Sequence, residues 1–187
     1  MKKAIIIGIV FAAITIGIIF FVFLQIKDIK ENQTLTGQLS PALLEQLQEK
    51  TIRNFPYAPA AIEWEGKYLL VDDGHVYEEN RTPIYFTYNK KRNEELNTDL
   101  FFPGNDIKGI VWLEEKYEVV GDYTNGAQAL QPYYILYYID LAQQAILAQD
   151  TLWGGMPPQS TTNSGAEFGK EPKEEDVVKT IQNRIKN

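Results

Sequence analysis

The sequence predicts an α+β protein: an N-terminal single transmembrane helix, a short helix, an antiparallel β-sheet of about five to seven strands, and a C-terminal helix packed on the sheet. Three observations carry this reading. Residues 4–24 form an unbroken apolar run, the stretch after Gly66 reads as strands punctuated by turn residues, and the last segment repeats its apolar side chains at helical spacing.

The apolar run "AIIIGIVFAAITIGIIFFVFL" carries no charge and one polar side chain, Thr15. As a helix its 21 residues rise about 31 Å, the thickness of a bilayer's hydrocarbon core. A cleaved signal has a shorter apolar region, about 7–15 residues, and a small-residue cleavage site close behind it. A helix packed on the core of a domain this small would keep a polar face toward solvent, whereas this run is apolar on every side. The lipid bilayer is therefore the expected partner of residues 4–24. Lys2, Lys3 and the terminal amine precede the run, while Lys27 and Lys30 follow it together with Asp28 and Glu31. That distribution favours a cytoplasmic N-terminus in the cell membrane and an extracytoplasmic C-terminal domain. Gly8 and Ala12 are four residues apart, as are Ala13 and Gly17. Small residues at this spacing let two membrane helices approach closely, although such residues are common in any membrane helix. The expected organisation is a transmembrane anchor over 1–26, a stalk and short helix over 27–56, and an extracytoplasmic α+β domain over 57–187.

Ser40 before Pro41 marks a helix start, because Ser accepts from free backbone N–H groups and Pro suits the first helical position. Leu43, Leu44 and Leu47 then give one apolar stripe, and Pro56 and Pro59 force an extended path. "KYLLVD" and "HVYEE" flank Asp73-Gly74, which suits a two-residue hairpin. "PIYFTYN" reads as a strand, and Lys90-Lys91-Arg92 as a solvated turn in a charged loop. "IKGIVWLEE" and "YEVVGDYT" read as two strands with a turn around Lys116. Asn125-Gly126 is a second hairpin signal, and "PYYILYYIDL" pairs with "AILAQDTLW" around Gln143-Gln144. In "EEDVVKTIQNRIK", Val177, Val178, Ile181 and Ile185 share one helical face. The acidic start and basic end of that helix suit its dipole.

Composition narrows the chemistry. Removing Lys2 and Lys3 from 18 Lys+Arg leaves 16 against 25 Asp+Glu, so the chain after Leu24 carries a balance of −9. That field repels a polyanion, so nucleic acid is not an expected partner. The absence of cysteine removes disulfides, zinc-thiolate sites, cysteine nucleophiles and a lipid-bearing cysteine.

Few residues suggest a reactive site, and no cofactor is implied. Gly165 to Lys170 fails as a phosphate loop, because the glycine spacing is one residue short and Glu171 stands where Ser or Thr should ligate magnesium. His75 is the single histidine, beside Asp72 and Asp73. In a strand these side chains alternate between faces and do not all converge. The Tyr-rich strand puts Tyr133, Ile135 and Tyr137 on one face and Tyr134, Leu136 and Tyr138 on the other. Core packing is the default for such a strand, and an aromatic platform for a sugar or peptide is the functional alternative. Trp153, Gly154 and Gly155 open a loop of about 20 residues, long for a mere connection. Trp153, Tyr134, Tyr138, Gly154 and Gly155 are thus the candidate ligand-binding residues, with Trp153 packed beneath the loop.

The expected function is a single-pass membrane protein displaying a small non-catalytic domain for binding or assembly, through a protein partner or self-association. Two rivals are a membrane-tethered hydrolase using His75 and the nearby carboxylates, and a small accessory subunit of a membrane complex.

Overall fold

The structure is a computed structural model and describes residues 39–49, 51–64, 67–73, 86–88, 90–96, 107–162 and 164–185. The chain divides into two compact units, Met1–Leu39 and Ser40–Asn187, and every described helix and strand belongs to the second. The expected membrane helix at 4–24 and His75 lie outside the described residues. No helix among the described residues is long and apolar enough to cross a membrane.

Helix α1 spans Pro41–Gln48, and its start is the expected one: Ser40 Oγ accepts from the Leu43 amide at 3.3 Å. Leu43 and Leu47 are buried, with Leu44 half-buried beside them. A 3-10 turn at Thr51–Asn54 then brings in buried Ile52 and, next to it, Arg53. Beyond it the proline-bearing segment runs extended along the start of β5. The Ile146 amide donates to the Pro56 carbonyl at 2.9 Å, and the Ala58 amide donates to the Ile146 carbonyl at 3.0 Å.

The remaining elements are β1 (Tyr68–Asp73), β2 (Phe86–Tyr88), α2 (Lys90–Glu95), β3 (Gly109–Asp122), β4 (Gln128–Asp140), β5 (Ala145–Trp153), β6 (Glu167–Phe168) and α3 (Glu174–Arg184). They build an α+β fold around one sheet of order β2-β1-β3-β4-β5, with β6 beside Ala129 and Leu130 of β4. The sheet is mixed rather than antiparallel: β1 runs parallel to β3, and β6 parallel to β4. Parallel neighbours need a crossover. Here β2 and α2 lie within the connection between β1 and β3.

Three further local expectations are corrected. Asp73 is not a turn residue but the last residue of β1, paired with Phe86 of β2, while the "HVYEE" strand expected beyond it lies outside the described residues. Lys116 is not a turn either, because β3 runs unbroken past it opposite β4, pairing Lys116 with Tyr133 and Tyr117 with Pro132. "EEKYE" holds no Gly, Pro, Asn or Asp to break the strand, and the irregularity comes later, as a bulge at Val119/Gly121. Lys90-Lys91-Arg92 opens a helix rather than a solvated turn. Arg92 is drawn inward, its Nη1 donating to Asp72 Oδ1 at 2.7 Å and its Nε to Glu174. The next residue, Asn93, is fully buried, and its side-chain amide both donates to and accepts from the Leu70 backbone at 2.9 Å. It stands in for a strand residue where β2 has ended. Both later hairpins are present, with Gly126 at φ 83 in the first and Gln144 at φ 50 in the second.

Both faces of the sheet are covered at one end. On the first face Tyr68, Leu70, Val111, Leu113, Leu136 and Tyr138 meet Val177 and Ile181 of α3, and Ile185 just beyond it, in a single core. Each fully buried aliphatic side chain there contributes about 1.5–3 kcal/mol. Arg184 fastens α3 to β5 by a bidentate pair with Asp150. On the second face Leu69, Val71, Ile110, Trp112 and Ile139 are buried. The 3-10 turn reaches this face through Arg53, whose guanidinium lies 5.8 Å from both the Trp112 and Tyr137 ring centroids.

Candidate binding face

Strands β3, β4 and β5 outrun the layers that cover them. β3 is buried from Gly109 to Glu114 and exposed from Tyr117 to Asp122, and β5 is buried from Ala145 to Ala148 but exposed at Gln149, Thr151 and Trp153. The boundary on the second face is a charged cluster. Arg53 Nη2 donates to Glu114 Oε1 at 2.7 Å, the Tyr137 hydroxyl donates to Glu114 Oε2 at 3.2 Å, and Lys116 Nζ lies 3.4 Å from Glu114 Oε1. Burial and the neighbouring Glu114 carboxylate raise the Tyr137 phenol above its ordinary pKa, keeping it a donor. The Trp112 indole N–H beneath this cluster is buried without a hydrogen-bond partner.

Beyond the cluster the face is open. Register pairs Tyr133 with Trp153, Ile135 with Thr151 and Tyr137 with Gln149. The Tyr133 and Trp153 rings stack at 4.6 Å between centroids with a 33° tilt, and Trp153 stays 51% exposed. Trp153 is therefore not packed beneath a loop; it forms the end of an aromatic ledge held on two strands.

The β5 ladder ends for a chemical reason. The Gly154 amide donates to the Pro132 carbonyl at 2.8 Å, but Pro132 has no N–H to return. Gln131 Nε2 donates to the Gly154 carbonyl instead, at 2.8 Å. The chain then leaves and comes back. The Gly155 amide donates to the Lys170 carbonyl at 2.7 Å, and the Gly169 amide donates to the Leu130 carbonyl at 2.8 Å. A Cβ at Gly154 would lie 2.3 Å from the Lys170 carbonyl oxygen, and one at Gly169 would lie 1.9 Å from that of Gly155. Only glycine fits at positions 154 and 169. Between its ends the chain forms a surface loop of the Ω type, tied to the β3–β4 tip. The Tyr123 hydroxyl donates to the Pro158 carbonyl and Asn125 Nδ2 to the Thr161 carbonyl. Phe168 packs edge-on against Tyr117, with centroids 5.1 Å apart. The Gly169 amide is thus spent on the sheet, in keeping with the failed phosphate-loop spacing.

Of the five residues singled out from sequence, Trp153, Gly154 and Gly155 come together, the glycines as the neck and Trp153 as the ledge. Tyr134 and Tyr138 lie on the opposite face, 4% and 0% exposed. The Tyr134 hydroxyl donates to Glu171 Oε2 at 3.0 Å, and the Tyr138 hydroxyl has no partner. The cause is one bulge. Ile139 pairs with Ile146 but Tyr138 with Ala148, so Leu147 is skipped and everything beyond it changes face. Tyr133 and Thr151, absent from the sequence-derived set, become the neighbours of Trp153, with Gln149 further along the same face.

The aspartates near His75 part ways. Asp72 meets Arg92, whereas Asp73 lies 3.5 Å from Arg53 on the other face. Among the described residues no group of three acidic or histidine side chains is placed to hold a metal ion. A cavity of about 480 Å³ opens elsewhere beside Trp64, Lys67, Lys108 and Asp140. The Asp140 carboxylate is already engaged there, accepting from Trp64 Nε1 at 3.1 Å and from the Gln143 amide at 2.8 Å.

No protein-family model matches the chain, and comparison with curated proteins and with solved structures likewise finds no match.

Proposed function

We propose that this chain is a single-pass, membrane-anchored protein whose extracytoplasmic α+β domain acts by binding or assembly, with the Tyr133–Trp153 end of the sheet as its contact face. The membrane part rests on the charge-free run at 4–24. The contact face rests on one observation: a stacked Tyr–Trp pair, half exposed, held on rigid strands rather than on a mobile loop. Trp and Tyr offer large contact area at low entropic cost and dominate the binding energy of protein contacts. The flanking side chains Thr151 and Gln149 are neutral, while the titratable groups nearby are engaged with one another. This arrangement suits docking better than proton transfer.

The test uses the full chain extracted from membranes in mild detergent. Its native mass should exceed that of one chain, and Trp153→Ala should reduce it to one chain while the melting temperature falls only slightly. A wild-type mass of one chain, or a Trp153→Ala assembly indistinguishable from the parent, would contradict the reading.

A further inference from the structure

The exposed half of β5 is an open sheet edge, and we infer that its occupant is the same edge of a second copy of this chain, paired antiparallel about Thr151. This rests on the assembly reading above and specifies its partner.

The hydrogen-bonding pattern defines the edge. Gly154 donates inward to Pro132, so alternation turns the N–H and C=O groups of Gln149, Thr151 and Trp153 outward, away from β4. No described residue bonds to them. On the earlier part of β5 the same side is already covered, by Pro56 to Ala60 at Ile146 and Leu147. The free stretch therefore runs from Gln149 to Trp153, with Thr151 at its centre. Such edges are ordinarily blunted by Lys, Pro or an outward bulge. The stretch from Gln149 to Trp153 carries no Lys or Pro, and the one bulge of β5, at Leu147, lies before it.

Two arguments favour a second copy. The first is charge. Residues after Leu24 carry a balance of −9 (16 Lys+Arg against 25 Asp+Glu), so most pairs of surfaces on two copies would repel. The open edge is an exception. Its one acidic residue, Asp150, lies on the other face in a bidentate pair with Arg184, and its outward row is neutral. The second is symmetry. An antiparallel pair of identical edges is related by a twofold axis normal to the sheet, and it is isologous. Pairing about Thr151 sets Trp153 of each copy opposite Gln149 of the other. That axis also keeps the second faces of both copies on the same side. The 3-10 turn following α1 lies against that face, so the two turns stand on the same side of the joined sheet. The spacing of Gly8 with Ala12 and Ala13 with Gly17 lets the two anchors approach closely.

The test exploits a chain that contains no cysteine. In full-length protein in membranes, Thr151→Cys places two thiols at the twofold. Opposed Cα atoms there are about 5.5 Å apart, within the range of about 4.4–6.8 Å that a disulfide spans. Mild oxidation should link the chain to itself at least about tenfold faster than with Lys179→Cys on exposed α3, reflecting a paired rather than a merely co-anchored thiol. Adding Gln149→Pro, which removes an outward N–H that β4 does not use, should abolish the link. Thr151→Lys should lower the native mass to one chain without touching the backbone. Equal rates for Thr151→Cys and Lys179→Cys, a link to a different protein only, or a Thr151→Lys chain of unchanged mass would each overturn the inference. A high-salt and alkaline wash of the same membranes scores the anchor separately. Protein in the supernatant that still links through Thr151→Cys leaves the pairing standing and sinks the anchor.

Discussion

Trp153 rests its ring on Tyr133 at 4.6 Å and keeps half its surface in solvent, whereas Trp64 and Trp112 are buried in the same domain. Three indoles thus occupy two regimes, and substitution separates them. Trp112→Ala should cost about 3–5 kcal/mol of stability, as cavity formation at a buried aromatic does. Trp153→Ala should cost no more than about 1 kcal/mol, the loss of one exposed ring pair. Thermal melting of both variants gives the comparison, and equal losses would contradict the assignment.

Arg92 ties three elements together, donating to Asp72 of β1 and to Glu174 of α3 while lying 6.0 Å from the Tyr134 ring. Removing it takes the cation away from two carboxylates in a half-buried site. Arg92→Met should destabilise the domain by about 2–3 kcal/mol, below the roughly 3–5 kcal/mol for a fully buried pair because Glu174 is partly solvated. Arg92→Lys should recover only part of the loss, since a point charge cannot serve both carboxylates as a planar fork does. Denaturant melts of the two variants test the ordering.

Alkaline pH should unfold the domain from within. Burial pushes the Tyr68 phenol up to about 12. Burial, then the bond to Glu171, raises Tyr134, and burial, then Asp150, raises Tyr138. A phenol with a raised folded pKa contributes stability that is fully present below its unfolded value of about 10 and is lost as pH climbs toward the folded value. Exposed Tyr117, raised to about 12 by its bond to Glu115, should titrate without unfolding. Ultraviolet titration should therefore show the buried phenols ionising together with the loss of far-ultraviolet circular dichroism above about pH 10. Independent ionisation of every tyrosine in a folded chain would contradict this.

The neck and the loop beyond it should behave differently. Gly154→Ala drives a methyl into the Lys170 carbonyl and the Pro132 ring and should cost about 1–3 kcal/mol. Replacing Gln159 to Ser164 with an equal Gly-Ser run removes the Thr161 hydroxyl's bond to Glu167 and should cost under about 1 kcal/mol. Melting curves of the two proteins decide.

Much of this fold was legible because its signals are local. Ser40-Pro41, Asn125-Gly126 and the Val177–Ile181 spacing each specify an element from a few neighbouring residues. The parallel pairing of β1 with β3 was not legible, because it depends on a crossover joining residues far apart in sequence. Arg92 misled for a similar reason: beside Lys90 and Lys91 it reads as solvated, and its partners Asp72 and Glu174 are distant in the chain. The ledge was half legible. Trp153 stood out by composition, but its neighbours depended on the skipped Leu147, and a one-residue bulge carries no sequence mark strong enough to choose Tyr133 over Tyr134.

Iodide quenching of tryptophan fluorescence tests the central claim, that the Tyr133–Trp153 end of the sheet is covered by a partner. With Trp64 and Trp112 buried, the quencher reads Trp153 alone. In membranes the full chain should resist quenching, and Thr151→Lys in the same membranes should be quenched markedly more strongly. Equal quenching of wild type and Thr151→Lys in membranes would show Trp153 uncovered, and would contradict the account.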